Sequence, residues 1–95
     1  MADRSSEQLT ARDALVRLMT ARKQAYSIVF GSRSVPSERD VVWEDLARFC
    51  RDRESCFHAD ARIHAALEGR REVMLRIRDY VELSIEQLCR KYGRE

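Results

Sequence analysis

The side chains most capable of chemistry lie between residues 50 and 64. They are Cys50, Cys56, His58 and His64, in the spacing C-x5-C-x-H-x5-H. Compact zinc sites usually begin with cysteines about two to four residues apart. Cys50 also falls on an apolar helical stripe, where cysteine behaves as a small hydrophobic residue. The pattern therefore predicts free thiols, without a metal or another cofactor.

A cysteine and a histidine could also form a nucleophile and its base. Such a site needs a lowered thiol pKa, a third residue that orients the base, and donors for an oxyanion. The chain has no glycine-rich loop that would supply those donors. Paired carboxylates such as Glu44 and Asp45 fall on helix surfaces opposite arginines. We therefore expect a protein that is not an enzyme.

Positive charge is the other chemical feature, and 16 of the 18 basic residues are arginine. The densest basic group is Arg70, Arg71, Arg76 and Arg78. Helical geometry spreads it over several faces, and the net charge of the chain is only +2. Ion pairing within the chain or across an interface therefore explains the group better than phosphate binding does. Arg70 lies near the apolar stripe and needs a carboxylate or carbonyl partner if it is buried.

The composition favours helices with wide solvated faces. The 95 residues are 44% hydrophobic, 36% charged and 7% aromatic, which argues against both disorder and a disulfide scaffold. A chain of this length makes one small domain with a limited core, so a partner or a second copy would stabilise it. No apolar run approaches the ~18 residues of a membrane span. With an odd number of cysteines, this predicts synthesis in a reducing cytoplasm.

Apolar spacing divides the chain into three helices after a flexible segment at 1–8. The predicted single helical domain, 9–95, has helices at about 9–30, 37–54 and 60–92, joined by a linker at 31–36 and a break at 55–60. Ser37 is the expected cap of the second helix, whose apolar face contains Val42, Leu46, Phe49 and Cys50. The expected fold is all-α: a three-helix bundle, or a helical hairpin plus an N-terminal helix, with a long C-terminal helix.

Three blocks of the middle of the chain resemble a family of small proteins of short-tailed phages, typified by a Bordetella phage protein. The blocks are VWEDLARFCR from Val42, then Phe57-His58-x-Asp60-x-Arg62, then EGRREVMLRI from Glu68. The resemblance covers about residues 42–77. Many members have proline where this chain has Ala59 or Ala61, a difference confined to the local loop. Family members are encoded in the virion-structure gene cluster, near the portal and capsid genes.

The resemblance implies a phage structural or morphogenesis protein, made in the bacterial cytoplasm and carried in the virion. The leading hypothesis is a non-enzymatic interaction module at the head–tail junction, in the internal core or with the ejection proteins. Its expected partners are portal, core or ejection proteins, in a homo- or hetero-oligomer. Two alternatives stay open: a nucleic-acid-binding packaging accessory protein that uses the arginines of the third helix, and a phage-encoded inhibitor of a host protein.

Partner contacts are expected along the apolar stripes of the first and third helices and at the aromatic residues between them. In addition, Phe57 is predicted to anchor the break by packing against Trp43 or the start of the third helix. The predicted interaction residues are Leu15, Met19, Tyr26, Phe30, Trp43, Phe57, Arg70, Arg71, Met74, Ile77, Val81, Ile85, Leu88 and Tyr92.

Overall fold

Four α-helices make up the regular structure of the described residues. The computed structural model describes residues 4–31 and 36–94, and the side chains of residues 10–31 and 36–94. The helices are α1 (Arg4–Phe30), α2 (Pro36–Phe49), α3 (Ala61–Glu82) and α4 (Ile85–Tyr92). The predicted all-α fold, with a long helix near the C-terminus, is confirmed.

The N-terminal boundaries of α1 and α2 differ from the prediction. α1 begins at Arg4 rather than near residue 9, because Glu7, Gln8 and Leu9 are good helix formers and continue the helix. Residues 1–3 of the predicted flexible segment and 32–35 of the predicted linker lie outside the described residues. α2 begins at Pro36, and proline suits the first position of a helix. Ser37 is therefore inside α2 rather than its cap.

α2 ends at Phe49, before the predicted residue 54, because a Schellman motif stops it. The N–H of Asp52 donates to the carbonyl of Ala47 at 2.9 Å, and the N–H of Arg51 donates to that of Arg48 at 3.3 Å. Arg51 occupies the left-handed position, with φ of 52°. Glycine usually fills this position, so no stop signal for α2 can be read from the residue types.

The predicted third helix is in fact two helices, separated at Leu83 and Ser84. Ser84 caps α4 through a capping box: its Oγ accepts from the N–H of Gln87 at 3.2 Å, and Gln87 Oε1 accepts from the N–H of Ser84 at 2.9 Å. This serine–glutamine spacing is a helix-start signal inside a continuous apolar stripe. α4 then packs against α1, and its last turn reaches α3 through Lys91 and Tyr92, which both contact Asp79.

Lys23 of α1 stabilises the end of α3. Its Nζ donates to the carbonyls of Leu83 at 2.6 Å, Val81 at 3.0 Å and Tyr80 at 3.4 Å. The last turn of α3 has no basic residue of its own. The ammonium of Lys23 therefore satisfies free carbonyls and balances the negative end of the helix dipole from a different helix.

The core has two adjoining parts. In the first, α1, α3 and α4 bury Met19, Tyr80, Leu88 and Cys89. In the second, Met74 and Ile77 of α3 pack with Cys50, and Phe30 of α1 and Trp43, Leu46 and Ala47 of α2 cover them. Tyr26 contacts both parts. α1 therefore folds back along α3 and α4, while α2 packs at one edge and contains no buried residue.

The molecule is flat. Its Cα atoms extend over 58 × 37 × 13 Å. Packed helix axes are about 8–10 Å apart, so the thinnest dimension leaves room for one such spacing. As a consequence, large faces of α1, α2 and α3 are open on one side. Among the described residues, no helix is both long enough and apolar enough to cross a membrane.

Candidate interaction surface

Most of the residues predicted to contact a partner lie within the core of the chain itself. The stripes of the first and third helices cover each other because α1 folds back along α3 and α4. Met19, Met74, Ile77 and Leu88 are buried, and Leu15, Tyr26, Phe30, Trp43, Ile85 and Tyr92 pack against the buried residues. Val81 and Arg71 are half-buried, and Arg70 and Phe57 are exposed.

Three tyrosines stack at the centre of this core. The ring of Tyr80 lies between those of Tyr26 and Tyr92, with centroid distances of 4.6 Å and 5.2 Å and nearly parallel planes. The Tyr80 hydroxyl accepts from Arg22 Nη1 at 2.9 Å and donates to the Met19 sulfur at 3.7 Å. Tyr80 therefore joins α1, α3 and α4 and satisfies its own polar atom.

The arginines of α3 are largely occupied by aromatic rings. The guanidinium of Arg70 lies 4.3 Å from the ring centre of Phe49, and that of Arg76 lies 4.6 Å from the ring centre of Tyr92. Arg78 lies 5.5 Å from the ring centre of Trp43. Such cation–π contacts fix the side chains and spread their charge. Arg70 is exposed, so the condition under which it would need a carboxylate or a carbonyl partner is not met, and its partner is the ring of Phe49.

Arg78 also forms an ion pair with Asp52, which follows the end of α2. The side chain of Asp52 is only 2% exposed, and that of Arg78 is 38% exposed. Among the described residues, Asp52 Oδ1 has no hydrogen-bond partner. The buried carboxylate therefore depends on Arg78 for its charge balance, and this pair ties the turn after α2 to α3.

Asp79 joins α3 to the end of α4. Its Oδ2 accepts from Lys91 Nζ at 2.5 Å and from the Tyr92 hydroxyl at 2.6 Å. Burial acts to raise the pKa of Asp79, but the hydrogen bonds and the charge of Lys91 outweigh it, so the pKa lies below its usual value. Burial, followed by the bond to Asp79, raises the pKa of Tyr92.

The cysteines and histidines have structural contacts. Cys50, Cys56 and Cys89 are buried free thiols, and burial is the largest factor raising the pKa of Cys50. The thiol of Cys56 donates to the carbonyl of Leu67 at 3.7 Å, and His64 Nδ1 donates to the carbonyl of Cys56 at 3.0 Å. Among the described residues, no group of three or more His, Cys, Asp or Glu side chains is placed to hold a metal ion.

The predicted burial of Phe57 is wrong. Its side chain is 75% exposed, and within the described residues its ring meets the edge of the His64 ring, at a centroid distance of 6.0 Å. Trp43 packs against Phe30 of α1 instead. Cys56, which is 2% exposed, occupies the interior position of the turn beside Leu67. The smaller residue fits under α3, and the aromatic ring is left on the surface.

The outer side of α2 presents apolar side chains that the sequence analysis placed elsewhere. Val42 and Phe49 were assigned to its core face, but they are exposed, as is Val41. Trp43, Leu46 and Ala47 face α1 and α3 instead. The α2 surface, defined here as Val41, Val42 and Phe49, lacks a partner within the described residues, apart from Arg70 over Phe49. The positions of α1 and α3 decide which side of α2 is covered.

Comparison with known proteins gives one finding. Residues 38–90, more than half of the chain, match the family model described as Bbp19-like phage protein. The matched segment begins in α2 and ends in α4. No curated protein and no solved structure matches the chain.

Proposed function

The chain belongs to the family of Bbp19-like phage proteins, and we propose that it acts, without catalysis, as a helical interaction module in the phage particle. We propose that it binds a portal, core or ejection protein through the α2 surface. In this role it is made in the bacterial cytoplasm during assembly and is carried in the virion. Three observations support the proposal: the family to which the chain belongs, the exposed apolar side chains of α2, and the contacts of the arginines with aromatic rings and with Asp52.

The exposure of α2 is the observation that carries the proposal. Val41 is 71% exposed, Phe49 54% and Val42 47%. The domain is small and has few buried residues, yet these large apolar side chains are not used in its core. Fully burying one such side chain is worth about 1.5–3 kcal/mol. Acidic residues flank the apolar ones, among them Glu44 and Asp45. An apolar patch with a polar rim is the usual anatomy of a protein–protein interface.

The arginines favour a protein partner over nucleic acid. Phosphate binding needs basic side chains that are free to leave their own partners. Arg70, Arg76 and Arg78 each lie over an aromatic ring, and Arg78 also pairs with the buried Asp52. Moving them onto a phosphate backbone would break contacts that hold α2 and α4 to α3. This supports the interaction module over the alternative of a packaging accessory protein.

The cysteines support a role without catalysis. A nucleophilic cysteine needs a lowered pKa and access to substrate. The Cys50 thiol is buried and its pKa is raised, and the Cys56 thiol is buried against the carbonyl of Leu67. His64 is engaged with the backbone of the same turn. These groups are placed to hold the turn between α2 and α3 together.

The test combines virion composition with direct binding. We expect mass spectrometry to detect the protein in purified virions and in DNA-free heads. Purified portal, core and ejection proteins should then be tested one at a time, and one of them should bind the chain. Val41→Glu should weaken that binding at least about tenfold, since it places a charge in an apolar contact. Val73→Glu is the matched control, because Val73 is 51% exposed on α3.

Three results would contradict the proposal. One is absence of the protein from both kinds of particle together with no binding to any virion protein. Another is equal loss of binding in Val41→Glu and Val73→Glu. The third is a different ligand: tight binding of duplex DNA at physiological salt would favour the packaging accessory protein, and capture of a host enzyme with loss of its activity would favour the inhibitor.

A further inference from the structure

α1 has a second apolar stripe, on the side that faces away from the core. Its members follow one another at alternating spacings of three and four residues, and all of them are exposed. Leu18 is 46% exposed and Ile28 is 54% exposed. We call this stripe the outer seam. It consists of Ala11, Ala14, Leu18, Ala21, Ala25 and Ile28.

The spacing of the outer seam is that of a coiled coil. Apolar residues that alternate at three and four positions repeat every 3.5 residues on average, which is the a and d pattern of helices that wind around each other. The core side of α1 carries a different set, including Met19, Lys23 and Tyr26. α1 is therefore apolar on two opposite sides, and its own chain covers only one of them.

The exposed area of the chain as a whole is larger than that of a compact monomer, which leaves room for a dimer interface. A compact monomer of this mass, 11.1 kDa, exposes about 5,700 Å², whereas this chain exposes 7356 Å². The surplus of about 1,700 Å² is well above the ~800 Å² that each partner contributes to an interface of standard size. The flat shape, 13 Å at its thinnest, is the source of the surplus.

We propose that the outer seam binds the outer seam of a second copy of this chain, with the two α1 helices antiparallel. A two-fold axis between Leu18 and Ala21 pairs Leu18 with Ala21 of the second copy. The next layers pair Ala14 with Ala25 and Ala11 with Ile28. Each contact occurs twice, as a two-fold interface requires. Both large residues meet alanine, so that large and small side chains interdigitate.

The charges beside the seam favour the antiparallel direction. In a parallel pair, Arg17 would lie near Arg22 of the second copy on both sides of the interface; Arg22 also donates to the Tyr80 hydroxyl of its own chain, but its charge remains, and like charges at these positions disfavour pairing. The antiparallel register places Arg17 near Gln24, which is neutral. A parallel pair would also stack Leu18 on Leu18 and leave four layers with only alanine, whereas the antiparallel register leaves two. The sequence of α1 therefore fits one direction better than the other.

This contact goes beyond the proposed function, since it uses α1 and not the α2 surface. Analytical ultracentrifugation of the full chain at micromolar concentration tests it. We expect a dimer of the wild type. Ala21→Glu should raise the dissociation constant at least about tenfold, because it buries two charges in the central layer. Ala65→Glu is the matched control, since Ala65 is also an exposed helical alanine. Circular dichroism checks that both variants keep the helical content of the wild type.

Disulfide cross-linking tests the register. Ala14→Cys combined with Ala25→Cys should give a covalent dimer on mild oxidation, whereas Ala14→Cys alone should not. A wild type that stays monomeric, an Ala21→Glu variant that dimerises like the wild type, or efficient cross-linking of Ala14→Cys alone would overturn the proposal. A monomer still found in virions would leave the proposed function standing. A dimer that is absent from virions and binds no virion protein would contradict the proposed function and support the dimer.

Discussion

The two halves of α3 have opposite surroundings. The C-terminal half packs against α1, α4 and the inner side of α2, and it buries Met74, Ile77 and Tyr80. The N-terminal half, residues 61–71, faces the end of α2 and the turn before α3, buries only Leu67, and leaves Ile63 44% exposed. One half therefore supplies most of the packing that holds the fold together. The other half, with α2, supplies exposed apolar surface.

This difference separates stability from binding along one helix. Substitutions around the tyrosine stack should unfold the protein, because they remove buried contacts among three helices. Substitutions on the α2 surface should leave the free energy of unfolding nearly unchanged and weaken the contact with a partner. This distinction fails if substitutions on the α2 surface lower the free energy of unfolding as much as substitutions around the tyrosine stack do.

The largest expected effect is that of Tyr80→Ala. Tyr80 is fully buried, stacks on two rings and satisfies its hydroxyl. Truncating a buried aromatic side chain costs about 3–5 kcal/mol, and we expect that loss in urea unfolding followed by circular dichroism. The matched control is Phe49→Ala on α2, which should cost less than about 1 kcal/mol, mostly from the contact with Arg70. Equal losses would show that α2 is as important to the core as the tyrosine stack.

The next effect measures how firmly the end of α2 is held to α3. Arg78→Met would leave the carboxylate of Asp52 buried without its cation. Such a loss costs about 3–5 kcal/mol in a fully buried pair, and the partial exposure of Arg78 reduces it to about 2 kcal/mol. The control is Arg17→Met, which breaks an exposed pair with Asp13 and should cost under about 0.5 kcal/mol. The same urea experiment decides, and no difference between the two variants would contradict this prediction.

A smaller effect, in the well-packed half, depends on pH. Because the pKa of Asp79 is lowered by folding, its carboxylate stabilises the fold above its ordinary pKa of about 3.9 and loses that contribution as the pH falls through the lower folded value. Asp79→Asn should therefore cost about 1 kcal/mol at pH 7. The difference from the wild type should shrink as the pH falls below about 4. A difference that stays constant with pH would rule out the carboxylate as its source.

The helical architecture was predictable from the sequence, because apolar periodicity is a local signal. The end of α2 was not, since Arg51 takes a conformation that usually requires glycine. The break before α4 carried a signal, the spacing of Ser84 and Gln87, within an apolar stripe that continues through it. A continuous stripe does not reveal that the helix is interrupted within it.

The candidate surface was harder to predict, because periodicity shows that a side chain is apolar without showing what covers it. The stripe that contains Met19 and Tyr26 could be covered by a partner or by the chain's own α3. The position of α1 in the fold decides between these two. The same uncertainty placed Val42 and Phe49 on the wrong side of α2. The outer seam of α1 does carry a sequence signal, its alternating spacing of three and four residues. The inner stripe has the larger side chains and therefore gives the stronger apolar signal in the sequence.

The smallest expected effect on stability is that of Phe57→Ala, and it tests the poorly packed region most directly. Burial of this ring would make the change cost about 3 kcal/mol or more. With 75% of its surface exposed and one edge contact to His64, Phe57 should contribute less than about 0.5 kcal/mol to the free energy of unfolding.

The companion change is Cys56→Ser, which puts a hydroxyl at the interior position of the same turn and should cost about 1–3 kcal/mol, since a polar group is then buried against α3. Thermal and urea unfolding of both variants give the comparison. If Phe57→Ala is neutral and also weakens binding to a virion protein, the interaction surface extends from α2 into this turn. A loss near 3 kcal/mol would instead mean that Phe57 is buried in solution, and the turn would then belong to the region that holds the fold together.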